Sequence, residues 1–266
     1  MAIELDPLGF NALRMCRWGP MLYNRNDIYI GRSIEKYGEY SWLEQALFAQ
    51  IVRPGAIVVE AGANIGAHTI HLSQLAGADG AVFAFEPQRL VFQALCANVA
   101  LNQCANVHAF QEALGDEDGT AMIPDLDPAR ANNFGGVSIG IEDGAMVSLR
   151  TLDSHALPDC DFLKVDVEGM EKEVLLGSAQ TIAAHRPIVY VENDRKESSA
   201  DLIGLLLDWK YALFWHAPPL YNPDNFAHDP ENIFANIISL SILGVPAEAG
   251  TAIAGLREVR SRQDRW

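Results

Sequence analysis

Short apolar runs alternate with longer segments of helical spacing from residue 56 onward. Residues 57–59, 81–85 and 162–165 are apolar on both faces, as buried parallel strands are. In the segments between such runs, apolar residues recur at the spacing of one helix face. This alternation predicts an α/β fold in which helices cover both faces of a mostly parallel sheet.

The same pattern gives the bounds of the individual elements. The predicted strands are residues 57–59, 81–85, 106–110, 162–165, 188–191, 211–215 and 235–243. The predicted helices are residues 65–75, 88–101, 171–176 and 199–209. We therefore expect a seven-stranded Rossmann-like sheet whose binding crevice lies at the carboxyl ends of the first, second, fourth and fifth strands.

Two parts of the chain fall outside this alternation. Residues 1–52 are expected to form an N-terminal extension that packs on a domain of residues 53–266. The elements predicted in this extension are a short strand at 27–30 and one helix at 34–52. Turn signals within residues 115–150, the last at 143–144, predict a β-hairpin with a long loop inserted after the third strand. The helix at 34–52 could equally pack on a second subunit, so a homo-oligomer stays open.

Charge and composition narrow the function. The chain has 35 acidic and 19 basic residues, a net charge of −16, so phosphate backbones and anionic lipids are repelled and nucleic acid is not expected as a partner. No apolar stretch approaches the roughly 20 residues that span a membrane, and Glu4 stands where an export signal needs a basic and then an apolar stretch. Four cysteines without a Cys-x-x-Cys pair predict a reduced, cytoplasmic protein without a zinc site.

A glycine-containing segment, Glu-Ala-Gly-Ala-Asn-Ile-Gly from residue 60, ends the first strand and opens the first helix. Gly62 and Gly66 allow a tight turn and a close approach of the backbone to a ligand, and the helix start offers unpaired amides. Glu86 ends the second strand twenty residues after Gly66, where an acid can accept both hydroxyl protons of a ribose. Glu60 suits a cationic part of a ligand, such as an amino group.

The residue at position 64 separates two classes of nucleotide enzyme. A dinucleotide-binding loop has a glycine where this chain has Asn64, and a side chain there crowds a pyrophosphate. S-adenosylmethionine has a ribose, an adenine, an amino-acid end and a sulfonium but no phosphate, so it fits Asn64 and Glu60 better than NAD does. An NAD-dependent oxidoreductase remains an alternative, and so does a non-catalytic homologue that binds the cofactor without turnover.

Five segments together resemble the FkbM-type S-adenosylmethionine-dependent methyltransferases, over about residues 27–192. These are the glycine segment, Phe-Glu-Pro from residue 85, Glu-Ala-Leu-Gly from residue 112, Asp-Val-Glu-Gly-Met-Glu from residue 166, and Arg-Pro at 186–187 leading to Glu192. The resemblance implies a class I methyltransferase fold and, mostly, O-methylation of sugar or natural-product hydroxyls. It further implies that Glu60, Gly62, Asn64 and Gly66 form the cofactor loop, that Glu86 holds the ribose and that Glu112 and Ala113 lie beside the adenine.

The fourth strand ends at Asp166, which should point into the crevice near the transferred methyl group and serve both cofactor binding and catalysis. Glu168 and Glu171 follow it, and either acid could instead cap the next helix. An alcohol acceptor must lose its proton, and the candidate bases are Asp166, Glu192 at the end of the fifth strand, and a histidine, His68 or His216.

Oxygen ligands and aromatic side chains supply the remaining candidates. Asp166 with Glu192-Asn193-Asp194 could hold Mg²⁺, which leaves a metal open. Aromatic residues beside Asn and Asp suit a small-molecule or saccharide acceptor, although such residues also pack in cores. The acceptor candidates are Trp42, residues 132–136, Trp215 with His216, and Tyr221 with Asn222. The sequence thus predicts a methyltransferase acting on a hydroxyl of a sugar, a glycan or a secondary metabolite.

Overall fold

The structure, a computed structural model, describes residues 6, 8–140, 144–250 and 253–266. The strands in these ranges are β1 (Asn11–Cys16), β2 (Gly19–Asn24), β3 (Ile57–Ala61), β4 (Ala81–Phe85), β5 (Val107–Phe110), β6 (Glu112–Leu114), β7 (Gly119–Ile123), β8 (Ala145–Arg150), β9 (Phe162–Val165), β10 (Ile188–Glu192), β11 (Tyr211–His216), β12 (Ser241–Pro246) and β13 (Arg257–Glu258). The helices are α1 (Ile30–Tyr37), α2 (Trp42–Ile51), α3 (Thr69–Ala76), α4 (Arg89–Leu101), α5 (Glu171–Leu176), α6 (Ala179–His185) and α7 (Lys196–Asp208). Within the described ranges, every helix is too short or too polar to cross a membrane.

The main sheet has the order β13-β11-β12-β10-β9-β3-β4-β5. Strands β5, β4, β3, β9 and β10 run parallel to one another. At the other end of the sheet each strand pairs antiparallel with its neighbour, β12 with β10, β11 with β12 and β13 with β11. This confirms the expected Rossmann-like, mostly parallel sheet of a class I methyltransferase. The expected number of seven strands was wrong, because the two-residue strand β13 adds an eighth at the edge and is too short to show a strand period.

Helices cover both faces of the sheet, and the alternation of side chains along each strand explains why. Val59 and Leu163 pack with apolar residues of α5, α6 and α7 on one face. Their neighbours Val58 and Phe162 point to the other face, where they pack with Phe48 of α2 and with residues of α3. Successive residues of a strand point to opposite faces, so a strand that is buried on both must be apolar throughout.

The N-terminal region differs from the expectation. The strand predicted at 27–30 was wrong: Asp27 makes only an isolated bridge to Asn132, and its Oδ1 accepts a hydrogen bond from the Tyr29 amide at 3.0 Å just before α1. The region's strands are the hairpin β1–β2 instead. The single helix predicted at 34–52 is two helices, because Gly38 adopts a left-handed conformation (φ 66°) that ends α1. Residues 1–5 and 7 of the expected extension lie outside the described residues.

The inserted hairpin is confirmed and carries one strand more than expected. Strands β7 and β8 pair antiparallel across a long loop, and β6 pairs in parallel with β8. Of the turn expected at 143–144, residue 143 falls in the stretch 141–143 that the structure does not describe. Near the other end of the chain, the strand predicted at 235–243 starts later, at Ser241, and α6 was not predicted.

Candidate functional site

A cleft of about 180 Å³ opens at the carboxyl ends of the parallel strands, where the strand order reverses between β3 and β9. The loop after β3 and the ends of β4, β9 and β10 form its floor, and the inserted sheet and the segments around α1 and α2 contribute its walls. Topology therefore brings together residues that are far apart in the chain.

The loop after β3 is held against two neighbouring strand ends. The Gly62 amide donates to the Phe85 carbonyl at 3.0 Å, and Gly62 has a φ of 80°. A Cβ at this position would lie 1.8 Å from the Asp166 carbonyl oxygen, so only glycine fits. Two residues on, the Asn64 amide donates to Glu86 Oε2 at 3.1 Å. The loop is thereby fixed to the ends of both β4 and β9.

Glu86 lies in the cleft but is almost fully buried. Its Oε1 accepts a hydrogen bond from the Gln88 amide at 2.8 Å, and burial raises the pKa of its carboxyl group to about 7. Glu112 and Ala113 also line the cleft, and Glu112 Oε2 lies 3.0 Å from His155 Nε2. The apolar side chains that line the cleft around them are Phe85, Leu114, Ile123, Val137 and Ile139.

A buried lysine stands in the middle of the apolar strand β9. Lys164 is the register partner of Glu60 on β3, so the two side chains project from the same face of the sheet. Lys164 Nζ lies 3.2 Å from Asp166 Oδ2 and 3.8 Å from Glu60 Oε1. Burial alone would lower the pKa of Lys164, but these carboxylates raise it above its ordinary value. Glu60 also accepts a hydrogen bond from Thr69 Oγ1 at 2.6 Å.

A second buried acid, Glu44 of α2, reaches the cleft from the helix side. It accepts hydrogen bonds from Ser41 Oγ at 2.5 Å, from Ser239 Oγ at 2.6 Å and from Tyr190 Oη at 2.8 Å. His68 Nε2 lies 3.3 Å from Glu44 Oε2. Burial would raise the pKa of Glu44, but the His68 contact and the hydroxyl donors hold it well below its usual range. Glu44 is therefore a buried carboxylate that stays ionised.

Three carboxylates meet where β9 and β10 end. Asp166, Glu168 and Glu192 each place one oxygen within 4.8 Å of the others. Arg195 Nη2 lies 3.2 Å from Glu168 Oε2. Burial, followed by the charge of Asp166, raises the pKa of Glu168 to about 7 and that of Glu192 well above its ordinary value. Crowded acids of this kind are neutralised by protons or by a bound cation.

The sequence-predicted cofactor and catalytic residues fall into two groups. Those that line the cleft are Gly62, Asn64, Glu86, Glu112, Ala113, Asp166 and Glu192. Glu60 and Gly66 lie behind it, and Glu60 is engaged by Thr69 and Lys164. His216 also lies outside the lining, with its Nδ1 2.8 Å from Tyr190 Oη.

Most of the aromatic residues expected to contact an acceptor pack elsewhere. Trp42 stacks on Trp18, Trp215 is buried in the main core, and Tyr221 donates to the Asp229 carbonyl. Tyr29 and Tyr40 line the cleft instead, together with Asn133 and Gly135 of the predicted segment 132–136.

Sequence reasoning missed Lys164 and Glu44 as site residues. A charged residue inside the apolar run 162–165 was an available signal for Lys164, because a buried charge needs partners. Glu44 had none, since it falls inside the single helix predicted at 34–52, where an acidic residue usually faces solvent. Only the fold brings Glu44 beside Tyr190 and Ser239.

The solved structures similar to this chain include two methyltransferases and a fibrillarin. The methyltransferase FkbM from Methylobacillus flagellatus KT is 16% identical, with a TM-score of 0.49 over 76% of this chain, and this chain spans 50% of that one. Precorrin-6y C5,15-methyltransferase from Geobacter metallireducens GS-15 is 12% identical over 75% of this chain and 87% of that one, with a TM-score of 0.49. Fibrillarin from Aeropyrum pernix, solved with natively bound S-adenosyl-L-methionine, is 13% identical over 91% and 96% of the chains, with a TM-score of 0.45.

Comparison of the sequence with known protein families identifies the family of this chain. No curated protein matches the chain significantly. Residues 60–213, more than half of the chain, match the methyltransferase FkbM domain. This range starts at the end of β3 and runs through the strand ends that form the floor of the cleft. The chain therefore belongs to the FkbM family of S-adenosylmethionine-dependent methyltransferases.

Proposed function

We propose that the protein transfers the methyl group of S-adenosylmethionine to a hydroxyl of an uncharged sugar, glycan or secondary metabolite. The charge of the cleft carries this proposal. Among the described residues that line it, the only lysine or arginine is Lys164. The acids that line it are Glu44, Glu86, Glu112, Asp166, Glu168 and Glu192. An acceptor with a carboxylate or phosphate would be repelled there, whereas a sulfonium and a neutral hydroxyl are not.

The residues present fit S-adenosylmethionine. Gly62 makes its tight turn without a side chain, so a ligand can approach the backbone of the loop after β3. Glu86 offers the acceptor oxygens that a ribose diol needs. The apolar side chains around Ala113 form a slot for an adenine ring. When bound, the cofactor supplies a methyl carbon that its sulfonium already activates, so the protein has to align the acceptor and remove a proton.

Two cations fix the side chains that would do the aligning. The buried Lys164 holds the Asp166 carboxylate at 3.2 Å, and the partly exposed Arg195 holds Glu168 at 3.2 Å. The long loop between β7 and β8 is tied to the segment after β4, where Gln88 Nε2 donates to the Phe134 carbonyl at 2.7 Å. This hydrogen bond holds the loop beside the cleft.

Acceptor selection is assigned to the part of the cleft outside the family match. The lining residues outside 60–213 are Tyr29, Ile30, Tyr40, Glu44, Leu220, Ile237, Ile238 and Ser239. Two tyrosines, aliphatic side chains and a serine combine flat apolar surface with hydroxyl groups, as a sugar ring requires. These residues support a saccharide-like acceptor over a purely apolar one.

The first experiment is calorimetric titration with S-adenosylhomocysteine and, in parallel, with NAD⁺. Micromolar binding of the first and none of the second is expected. Turnover is then measured on three acceptors that share one ring and differ in charge: a methyl glucoside, glucosamine and glucuronic acid. We expect transfer to the neutral glycoside and none to the carboxylate of the uronic acid. Carboxyl methylation would contradict the charge argument.

We propose that this activity does not require Mg²⁺, although the three clustered carboxylates could hold the ion. Lys164 and Arg195 already pair with two of them. Burial beside Asp166 raises the pKa of Glu192, which disfavours the charged form that a divalent cation needs as a ligand. Turnover should therefore survive excess chelator, and loss of turnover that Mg²⁺ restores would show that the cluster is a metal site.

A reducing compartment is supported by the cysteines. Cys16, Cys96, Cys104 and Cys160 are all free thiols, and only Cys96 is exposed. Chains that work in oxidising compartments usually pair their cysteines, so we place this protein in the cytoplasm. Mass spectrometry after thiol blocking in intact cells should find four unpaired cysteines.

A further inference from the structure

We propose that His68 is the general base that takes the proton of the acceptor hydroxyl, and that Glu44 is the positioning residue that sets the tautomer of its ring. This inference rests on the proposed function, because it assigns the proton transfer within the same cleft. Among the candidate bases named from the sequence, it selects His68 over Asp166, Glu192 and His216.

The position of His68 is the first observation. It follows the cofactor loop directly, lines the cleft and is only 5% exposed. Its Nε2 lies 3.3 Å from Glu44 Oε2, and neither ring nitrogen makes a hydrogen bond of good geometry with the described residues, so Glu44 is the nearest charged group to Nε2 and Nδ1 has no charged group in contact. Buried polar atoms in proteins are rarely left without a partner. An unpartnered ring nitrogen in the wall of a substrate cleft indicates that the partner is part of the substrate.

The carboxylate of Glu44 explains which nitrogen is available. Three hydroxyl donors, from Ser41, Ser239 and Tyr190, hold this carboxylate in one orientation. A carboxylate accepts hydrogen bonds only, so the neutral ring of His68 must carry its proton on Nε2, which faces Glu44. The lone pair of Nδ1 is then free to accept a proton.

The other candidate bases have a partner or like charges beside them. Asp166 Oδ2 is paired with Lys164, and Glu192 lies within 4.8 Å of the Asp166 and Glu168 carboxylates, which disfavour its charged form. Tyr190 Oη donates to Glu44, so it accepts from His216, which must therefore hold its proton on Nδ1. His216 also lies outside the lining of the cleft.

The groups around His68 favour its protonated product. Glu44 from α2 and Glu60 from β3 supply negative charge, and His71 from α3 and Lys164 from β9 oppose it. The rings of Tyr40 and Phe48 lie 5.7 and 5.4 Å from the His68 ring and limit its movement. An imidazolium formed here is stabilised by the carboxylate at its Nε2 side.

In the proposed step, proton transfer to His68 accompanies methyl transfer to the acceptor oxygen. The acceptor O–H proton passes to His68 Nδ1 while the acceptor oxygen forms a bond to the methyl carbon. The bond from that carbon to sulfur breaks, and its electron pair stays on the sulfur, which becomes a neutral thioether. The proton on His68 is released to water before the next turnover.

The tautomer can be tested without any acceptor. The protein is labelled with ¹⁵N-histidine, and long-range ¹H–¹⁵N spectra are recorded at about pH 8, with the His68→Gln variant used to assign the ring. We expect a protonated Nε2 and a bare Nδ1 for His68, and loss of this preference in Glu44→Gln. A proton on Nδ1 in the wild-type protein would overturn the proposal.

Kinetics test the role in transfer. On whichever acceptor of the glucoside panel is methylated, His68→Gln should lower kcat by about 10²- to 10⁴-fold. Its Kd for S-adenosylhomocysteine should stay within about threefold of wild type. His108→Gln is the matched control, because His108 is exposed on β5, away from the cleft, and this variant should keep wild-type kcat. A His68→Gln variant that binds the ligand and keeps kcat within about twofold of wild type would refute the proposal.

Glu44→Gln separates positioning from structure. This variant keeps the size of the side chain, and thermal unfolding checks that it folds. Its kcat should fall, and the acidic limb of its kcat/KM profile should move to lower pH, because the negative charge that favours the imidazolium is gone. An unchanged pH profile would overturn the positioning role. If the wild-type protein binds no S-adenosylhomocysteine, the proposed function fails, whereas the tautomer measurement still decides the His68–Glu44 arrangement.

Discussion

Replacing Gly62 with alanine should damage the fold and the cofactor site together. The residue has a φ of 80°, and an added Cβ would lie 1.8 Å from the Asp166 carbonyl oxygen and 2.9 Å from its carbon. A non-glycine residue in the left-handed region costs about 1–2 kcal/mol. Forcing the backbone of β9 away from the new methyl group adds about 1–3 kcal/mol. The free energy of unfolding should therefore fall by about 2–5 kcal/mol.

The chain offers a matched control in Gly55, which precedes β3. Its φ is 90°, but a Cβ there meets nothing within 4 Å, so Gly55→Ala carries only the conformational cost of about 1–2 kcal/mol. At about 2 °C per kcal/mol for a chain of this size, Tm should drop by about 4–10 °C for Gly62→Ala and about 2–4 °C for Gly55→Ala.

Calorimetry measures both consequences of these substitutions. Differential scanning calorimetry gives the Tm values of the two variants. Isothermal titration with S-adenosylhomocysteine, well below Tm, gives their affinities. Gly62→Ala should lose measurable binding because Gly62 is pinned between the Phe85 and Asp166 carbonyls, whereas Gly55→Ala should bind as wild type does. Equal Tm losses for the two variants, or intact binding by Gly62→Ala, would refute the close-approach argument.

Two further predictions concern buried charges. Burial raises the pKa of Glu86 to about 7, so the contribution of its protonated form to stability is present at low pH and is lost as the pH rises through 7. Binding has the opposite dependence, because the hydroxyls of a ribose donate to the ionised carboxylate. The affinity of the wild-type protein for S-adenosylhomocysteine should therefore rise between about pH 6 and pH 8. In Glu86→Gln, calorimetric titrations should show little dependence on pH and an affinity at pH 8 that is about 10- to 100-fold lower than that of wild type. Lys164→Met leaves Glu60 and Asp166 without their cation and should cost about 3–5 kcal/mol in urea unfolding. Adding Glu60→Gln should restore part of that loss, and a double variant no more stable than Lys164→Met would count against the pairing.

The clustering of the residues predicted to bind the cofactor was predictable because its signals are local. Gly62 and Asn64 lie in one strand-turn-helix segment, and Glu86 ends the next strand, so spacing alone places them together. Parallel strands buried on both faces are also easy to recognise, and residues 81–85 and 162–165 were predicted with the bounds that the structure has.

The remaining elements failed for identifiable reasons. The β1–β2 hairpin turns at Arg17 and Trp18, which carry none of the Asn-Gly or Asp-Gly signals of a two-residue turn. The helix predicted at 34–52 is broken by Gly38, a residue that sequence alone allows inside or at the end of a helix. Strand β13 has two residues and exists only because β11 offers it an edge.

The sequence named His68 among the candidate bases but could not select it, because long-range contacts build its surroundings. Ser239 and Glu44 are 195 residues apart, and their 2.6 Å hydrogen bond exists only when the loop before β12 folds over α2. A histidine beside a glycine loop has no special spacing to a glutamate 24 residues earlier. Its chemistry is set by which nitrogen the carboxylate engages, and that is a property of the packed structure.

The partners of the acidic side chains in the cleft explain why we propose a histidine as the general base among so many acids. Asp166 is paired with Lys164, and Glu168 is paired with Arg195. Glu192 Oε2 has no hydrogen-bond partner among the described residues, and burial beside Asp166 raises the pKa of Glu192, which disfavours its charged form. A net negative cleft repels anionic acceptors and favours the sulfonium, yet it offers few lone pairs that can take a proton near neutral pH. His68 supplies one because its nearest carboxylate fixes the proton on the opposite ring nitrogen.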